Sequence, residues 1–209
     1  MSMNNSNVKM EMGDLAYQLG EVNPLRDGAE VSWIPRCMVG DNQGQDGACT
    51  LFALANWCEV MSGEKISDKE CIDAWKGARL RLHGNLNGGL SIPDAWYAAH
   101  KAGWFSADQA PHRVRDLQTL GEAPLVACYR ITEGWSNTND AGCIDHADTT
   151  EVGNHAVLLV AHGILASAND IPMVWIENSW GKSWGHKGLG CMIEMYHKQY
   201  VRELWRIPV

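Results

Sequence analysis

The sequence predicts an α+β protein, on three observations. Its first half places apolar residues at helical spacing, and its second half carries short apolar runs of strand length. The two kinds of segment do not alternate as they would around a parallel sheet. With 209 residues the chain has room for one large domain or two small lobes sharing an interface.

The elements follow in order. Residues 1–30 are polar at first and weakly patterned, and read as a loose arm that joins the body near Val31. In CTLFALANWCEVM (49–61), Leu51, Leu54, Ala55 and Cys58 share a face, which predicts a buried helix. Gly47 supplies a tight turn before it and sets Cys49 at the helix N-terminus. Ser67-Asp68-Lys69-Glu70 has the form of a capping box and opens a second helix to about Leu80. Asn85 to Gly89 is a turn-rich loop. Ser91 and Pro93 open a third helix through about Lys101, ended by Gly103. After about residue 118 the pattern changes. Residues 124–129, 155–161 and 173–177 read as strands, 190–195 more weakly so, and 133–152 and 163–170 as loops.

Composition excludes several classes. An apolar content of 45% against 20% charged is that of a folded globular chain rather than a disordered one. A net charge of −8 argues against a nucleic-acid partner. The longest apolar runs, such as Ala156–Ala161, fall far short of the roughly 18–20 residues of a membrane helix. The N-terminus lacks the apolar core of a secretory signal, so the Asn4-Asn5-Ser6 triplet carries no weight. Seven cysteines cannot all pair, and none stand in a CxxC; they read as thiols in a cytoplasmic or otherwise reducing setting. Ten Trp against two Phe suggests that some indoles line a groove.

The chemistry centres on Cys49. A thiol at a helix N-terminus meets the dipole and free backbone N–H groups, both of which favour thiolate. Before it runs Asn42-Gln43-Gly44-Gln45-Asp46-Gly47-Ala48. Downstream stand Asn154-His155-Ala156-Val157, then Asn178-Ser179-Trp180-Gly181, then Trp184-Gly185. Taken singly, His155 is a core histidine, Asn178 a turn residue, Trp180 a core anchor and Gln43 a loop cap. Together and in this order, from about Val31 to Cys191, they resemble the papain-like cysteine proteases. Ile66 to Glu70 resembles the start of that family's second helix, and Asn87-Gly88-Gly89 its substrate-facing loop.

The resemblance implies a papain-like two-lobe fold with the cleft between the lobes. A helical lobe over 31–118 would carry Cys49, and an antiparallel, barrel-like lobe over 119–209 would carry His155 and Asn178. Residues 1–30, too short for the family's long pro-segment, read as an arm or short pro-like segment that blocks the groove in part, unless localisation or a partner limits activity. Cys49 would be the nucleophile, and His155 would hold its thiolate as an ion pair and then protonate the leaving amine. Asn178 would orient the imidazole under the cover of Trp180. Gln43 and the Cys49 backbone N–H would form the oxyanion hole. Gly88, Gly89 and the Asn154 carbonyl would pair with substrate backbone. Leu90 and Ala156 would line the pocket for the residue before the scissile one, and Trp184 would flank the leaving-group side.

The resemblance has gaps. The half-cystines of secreted relatives are here Asp46, Leu86 and Ala74, and the aromatic that follows the nucleophile is Thr50. The function implied is that of an endopeptidase acting on polypeptides through an acyl-thioester, with no cofactor. A regulatory partner or inhibitor is left open. The same cleft could instead serve transamidation, ligation or deamidation, or hold a peptide without chemistry. Cys143-Ile144-Asp145-His146, with His162, Cys128 or Cys191, could ligate a metal, but reads as a polar loop, so no metal site is expected. Trp135 reads as a core residue.

Overall fold

The structure, a computed structural model, describes residues 29–105, 109–139, 142–165 and 171–208. Of the arm expected over 1–30, residues 1–28 lie outside the described residues, as do 166–170 of the loop expected over 163–170; residues 29–30 and 163–165 fall in strands instead.

Helix α1 (Cys49–Ser62) is apolar nearly all round, and every residue from Thr50 to Val60 is buried. Such a helix has to lie inside the molecule. It packs against the sheet on one side and two further helices on the other. Its N-cap is Ala48, which has no side chain to bond the first-turn N–H groups. Gly63, with φ +78°, ends the helix and donates its N–H to the Glu59 carbonyl at 2.8 Å.

Helix α2 (Asp68–His83) opens with the expected capping box: Ser67 accepts from the Glu70 N–H, and the Glu70 carboxylate accepts from the Ser67 N–H at 2.9 Å. It runs past Leu80 because nothing breaks it before Gly84, which takes φ +67°. Helix α3 (Ile92–Lys101) has Ser91 as N-cap and a proline in its first turn.

The strands are β1 (Ala29–Ser32), β2 (His112–Val114), β3 (Leu125–Thr132), β4 (Glu151–Leu165), β5 (Ile171–Glu177), β6 (Leu189–Ile193) and β7 (Val201–Arg206). They form one antiparallel sheet in the order β2-β7-β3-β4-β5-β6, with β1 also on β4. The sheet therefore recruits 29–32 and 112–114 from the helical part of the sequence.

Three expectations change. β4 is far longer than residues 155–161. It pairs with β3 over 151–159 and with β5 over 158–165, with an irregularity near Leu159 where the partner changes. The ladder to β3 thus outweighs the polar side chains of Glu151 and Asn154. The weak strand at 190–195 stops at Ile193, and the chain turns into helix α4 (Glu194–Tyr200), which buries Tyr196, His197 and Tyr200. β7 and the short β2 are additions to the expected set.

Seven of the ten indoles are buried, and Trp33, Trp104 and Trp180 are partly buried. The notion of tryptophans lining a groove narrows to the few around His155. The seven cysteines are all free. Among the described residues no helix is long and apolar enough to cross a membrane.

Candidate active site

The site forms where the loop before α1 docks on the segment after β5. The Gln43 N–H donates to the Ser179 carbonyl at 2.9 Å, and the Gly181 N–H to the Asp41 carbonyl at 2.8 Å. Asn42 and Trp180 thereby form a short antiparallel bridge. A turn closed by the Asp46 N–H on the Gln43 carbonyl (3.2 Å) then carries the chain into α1 with Cys49 as its first residue. Gly47 is required in that turn. A Cβ there would lie 2.6 Å from the Gly88 carbonyl oxygen, closer than side-chain atoms tolerate.

His155 lies on β4 opposite Tyr129 of β3 and is 5% exposed. Asn178 follows β5 directly and is 1% exposed. Its side-chain Oδ1 lies 2.8 Å from the Ser179 N–H and 2.7 Å from His155 Nε2. An amide oxygen only accepts, so Nε2 carries the proton and Nδ1 keeps its lone pair. The ring is also packed on two sides. Trp180 lies at 4.8 Å between centroids and the fully buried Trp135 meets it edge-on at 6.1 Å. Trp184 stacks on Trp135 and spends its N–H on the Trp135 carbonyl at 2.7 Å. At 8% exposure it belongs to this aromatic shelf.

The Cys49 sulfur lies against the backbone N–H of Ala156, the residue after His155, and against those of Thr50 and Cys49 itself. Burial pushes the thiol up, and these N–H groups pull it down less than burial raises it. Burial also pushes His155 down to about 4, with Asn178 opposing. Desolvation thus works against the expected thiolate–imidazolium pair, since each charge is disfavoured singly.

Gln43 is 8% exposed. Its Oε1 accepts from the Ser179 hydroxyl at 2.7 Å, which fixes the amide orientation. One Nε2 hydrogen goes to the Asp46 carbonyl at 2.8 Å. An amide nitrogen has two hydrogens, so one donor remains.

Gly88, Gly89 and Asn154 are exposed, and Gly88 takes φ +82°. Leu90 and Ala156 are 7% and 2% exposed. The Asn87 to Gly89 loop is held by Arg79 of α2, which sequence reasoning overlooks. Its guanidinium donates to the Gly89 carbonyl at 3.1 Å, to the Asn85 side chain at 2.8 Å and to the Asn87 carbonyl. Ser179 is a second omission. Its signal was the Asn-Ser-Trp-Gly motif itself, read only for its Asn and Trp.

Cys143 and Cys191 pair across a short parallel bridge, and His146 packs on the Tyr196 ring at 4.7 Å. His162 instead contacts Glu194 at 3.2 Å. Among the described residues no group of three or more His, Cys, Asp or Glu has metal-holding geometry.

Comparison with known proteins agrees with this architecture. The family model for papain family cysteine proteases matches residues 107–203, a stretch that contains His155 and Asn178. Human Cathepsin O is 31% identical over 148 residues, covering 71% of this chain and 42% of that protein. A thiol protease aleurain-like protein of Arabidopsis thaliana is 28% identical over 185 residues, 70% of this chain and 49% of its own. The chain thus spans about half or less of the length of these curated relatives. Xylellain, a cysteine protease from Xylella fastidiosa, superposes with a TM-score of 0.61 at 20% identity, covering 88% of this chain and 92% of its own. Procathepsin L 3 from Tenebrio molitor larval midgut gives 0.54 at 18%, covering 92% and 76%. At such identities the likeness speaks for the fold. With the motifs, the sheet and helices and the matched segment in agreement, the chain belongs to the papain-like cysteine protease family.

Proposed function

We infer that the chain is a cysteine peptidase that cleaves peptide bonds through Cys49, His155 and Asn178. The observation that carries this reading is the single tautomer left to His155. Asn178 holds the Nε2 proton, so the free Nδ1 lone pair is the base available to a sulfur lying at the Ala156 N–H. The Cys49 proton passes to Nδ1 as sulfur adds to the carbonyl carbon. The oxyanion that forms is met by the Cys49 N–H and the spare Gln43 hydrogen. As the C–N bond breaks, Nδ1–H protonates the departing amine and a thioester remains. Water, deprotonated by Nδ1, then releases the acid and restores the thiol. Trp180 and Trp135 keep bulk water from the His155–Asn178 hydrogen bond. The substrate is a polypeptide laid in extended form along Gly88, Gly89 and Asn154, with apolar Leu90 and Ala156 as part of one side-chain pocket.

The test is incubation of the reduced protein with a mixed peptide library and mass analysis of products, beside Cys49→Ala. Cleaved peptides are expected, with turnover falling on the order of 10⁴-fold or more in the variant. Joined or deamidated products in place of cleavage would move the reading to acyl transfer. Identical profiles with and without the thiol would overturn it.

A further inference from the structure

Behind the site lies a carboxylate cluster that the mechanism does not use. Asp41 precedes the docked loop, Glu59 sits on α1, and Glu177 is the last residue of β5; they are 4%, 1% and 1% exposed. Among the described residues, Lys65 is the cation paired with them. Its ammonium lies 2.5 Å from Asp41 and 2.9 Å from Glu59. The second Glu59 oxygen accepts the Ile66 N–H at 2.9 Å. Asp68 of α2 adds a fourth carboxylate on the far side of Asp41 and accepts the Asn42 N–H at 3.3 Å.

Glu177 is different. Among the described residues no N–H or O–H donates to either of its oxygens. The Cys37 thiol, a weak donor, lies between the Trp33 carbonyl, 3.7 Å away, and the Glu177 carboxyl. Its ladder partners on β4 and β6 are the apolar Leu158 and Leu189. A bare carboxylate in this setting would face two other acids with Lys65 already shared between them, which is too costly to persist. Burial first, then Asp41 and Glu59, push Glu177 up to about 8, while Cys37 and Lys65 oppose them. Burial also raises Glu59 to about 7 and Asp41 to about 6.

The position matters because Glu177 forms the last rung of β5. The next residue is Asn178, whose N–H donates to the Gly188 carbonyl at 2.9 Å and whose amide orients His155. Asp41 hangs on the same junction through Gly181. We propose that Glu177 is a positioning residue: while its carboxyl keeps a proton, the end of β5 and Asn178 stay seated on α1 and the 41–43 loop, and loss of that proton drives them apart and unsets His155. This rests on the catalytic roles assigned above. It makes the cleft a device that works below the ionisation of Glu177 and fails above it.

The folded state holds a proton that an unfolded glutamate releases near 4.5, so stability falls as pH rises from there through about 8. The experiment measures kcat/KM and thermal midpoint from pH 5 to 9 for the wild-type chain, Glu177→Gln and Glu177→Met, with infrared spectra at pH 6. The expected result is an alkaline limb displaced upward by about one pH unit or more in both variants, since neither can ionise. The wild-type midpoint should drop toward pH 9 more steeply than theirs. The carbonyl band of protonated buried acid at pH 6 should be weaker in both variants than in the wild type by the share of one carboxyl, Glu59 and Asp41 supplying what remains. Superposable pH profiles, or a band at pH 6 as strong in the variants as in the wild type, would overturn the proposal. If one variant fails to fold, the other carries the comparison. If no protein turns over peptide at any pH, the catalytic reading has failed, and the midpoint and the infrared band still decide whether Glu177 holds a proton.

Discussion

Replacing Arg79 with Met tests whether the Asn87–Gly89 loop serves the cleft. The side chain is 7% exposed, and Met keeps most of its apolar stem while removing the guanidinium. Three acceptors then lose their donor: the Gly89 and Asn87 carbonyls and the Asn85 side chain. A hydrogen bond to a charged group contributes roughly 1.5–3 kcal/mol when its partner is left dry. Here the loop residues 85–89 are exposed, so water recovers much of that loss. Taking the equivalent of one dry hydrogen bond, the variant should lose about 2 kcal/mol of stability. Freed from its anchor, the loop samples several conformations, and the fraction competent to pair with substrate falls. A competent fraction of one tenth raises the apparent dissociation constant about tenfold. KM should thus rise about tenfold while kcat changes less than threefold. Arg79→Lys should not rescue it, because one ammonium cannot reach three divergent acceptors. The assay is steady-state kinetics on a fluorogenic peptide, together with urea unfolding. A KM within twofold of wild type, in a variant that has lost the stability expected, would refute the role of this loop in substrate binding.

Other outcomes follow from the same geometry. Ser179→Ala frees the Gln43 carbonyl oxygen and should lower kcat about tenfold, less than the ~10²–10³ expected for Gln43→Ala, as single-turnover rates would reveal. Gly47→Ala forces a Cβ to 2.6 Å from the Gly88 oxygen, so the two loops must part; a loss of about 1–3 kcal/mol in urea unfolding, with a raised KM, is expected. Burial pushes His197 down to about 4 from 6.5, so its contribution to stability is present above pH 6.5 and is lost as pH falls through about 4. His197→Gln should therefore flatten the dependence of unfolding free energy on pH between 7 and 4, by on the order of 3 kcal/mol at most.

What could be read in the sequence was local. The capping box at Ser67, the turn at Gly47 and the run of apolar residues after Cys49 each depend on neighbours within four residues, and α1 and α2 form where those signals stand. The Cys49, His155 and Asn178 segments could be recognised because each carries its own flanking motif. Arg79 could not, since its role depends on how far α2 runs before Gly84 turns the chain back. Nor could Glu177: a glutamate at the end of a strand ordinarily faces water. Only the convergence of residues 37–41, α1 and β5 buries it. Helix α4 was hidden for a related reason. Residues 190–193 are apolar enough for a strand, and the change to helix at Glu194 is set by Tyr196, His197 and Tyr200 finding a shared buried face. The charged pair expected of Cys49 and His155 rested on the helix terminus and the family resemblance, neither of which carries the desolvation that both groups meet in the fold.

On the proposed mechanism, the short ladder between 41–43 and 179–181 would keep the donors for an oxyanion and the orienter of the imidazole in step. Gln43 is tied by its backbone N–H and its side-chain oxygen to the same residue, Ser179. The N–H of Ser179 is in turn the second donor to Asn178 Oδ1, beside His155. One residue therefore fixes the amide that would stabilise negative charge on the substrate oxygen and the amide that selects which imidazole nitrogen is free. A displacement of either loop moves both groups together, so their spacing survives small shifts between the two halves. A reaction that needs a base and an oxyanion site at constant separation benefits from that shared anchor, because reorganisation at the moment of bond formation is what preorganised dipoles avoid. On this account Ser179 carries more of the mechanism than its small hydroxyl suggests, and damage to its backbone contacts should cost more than loss of its side chain.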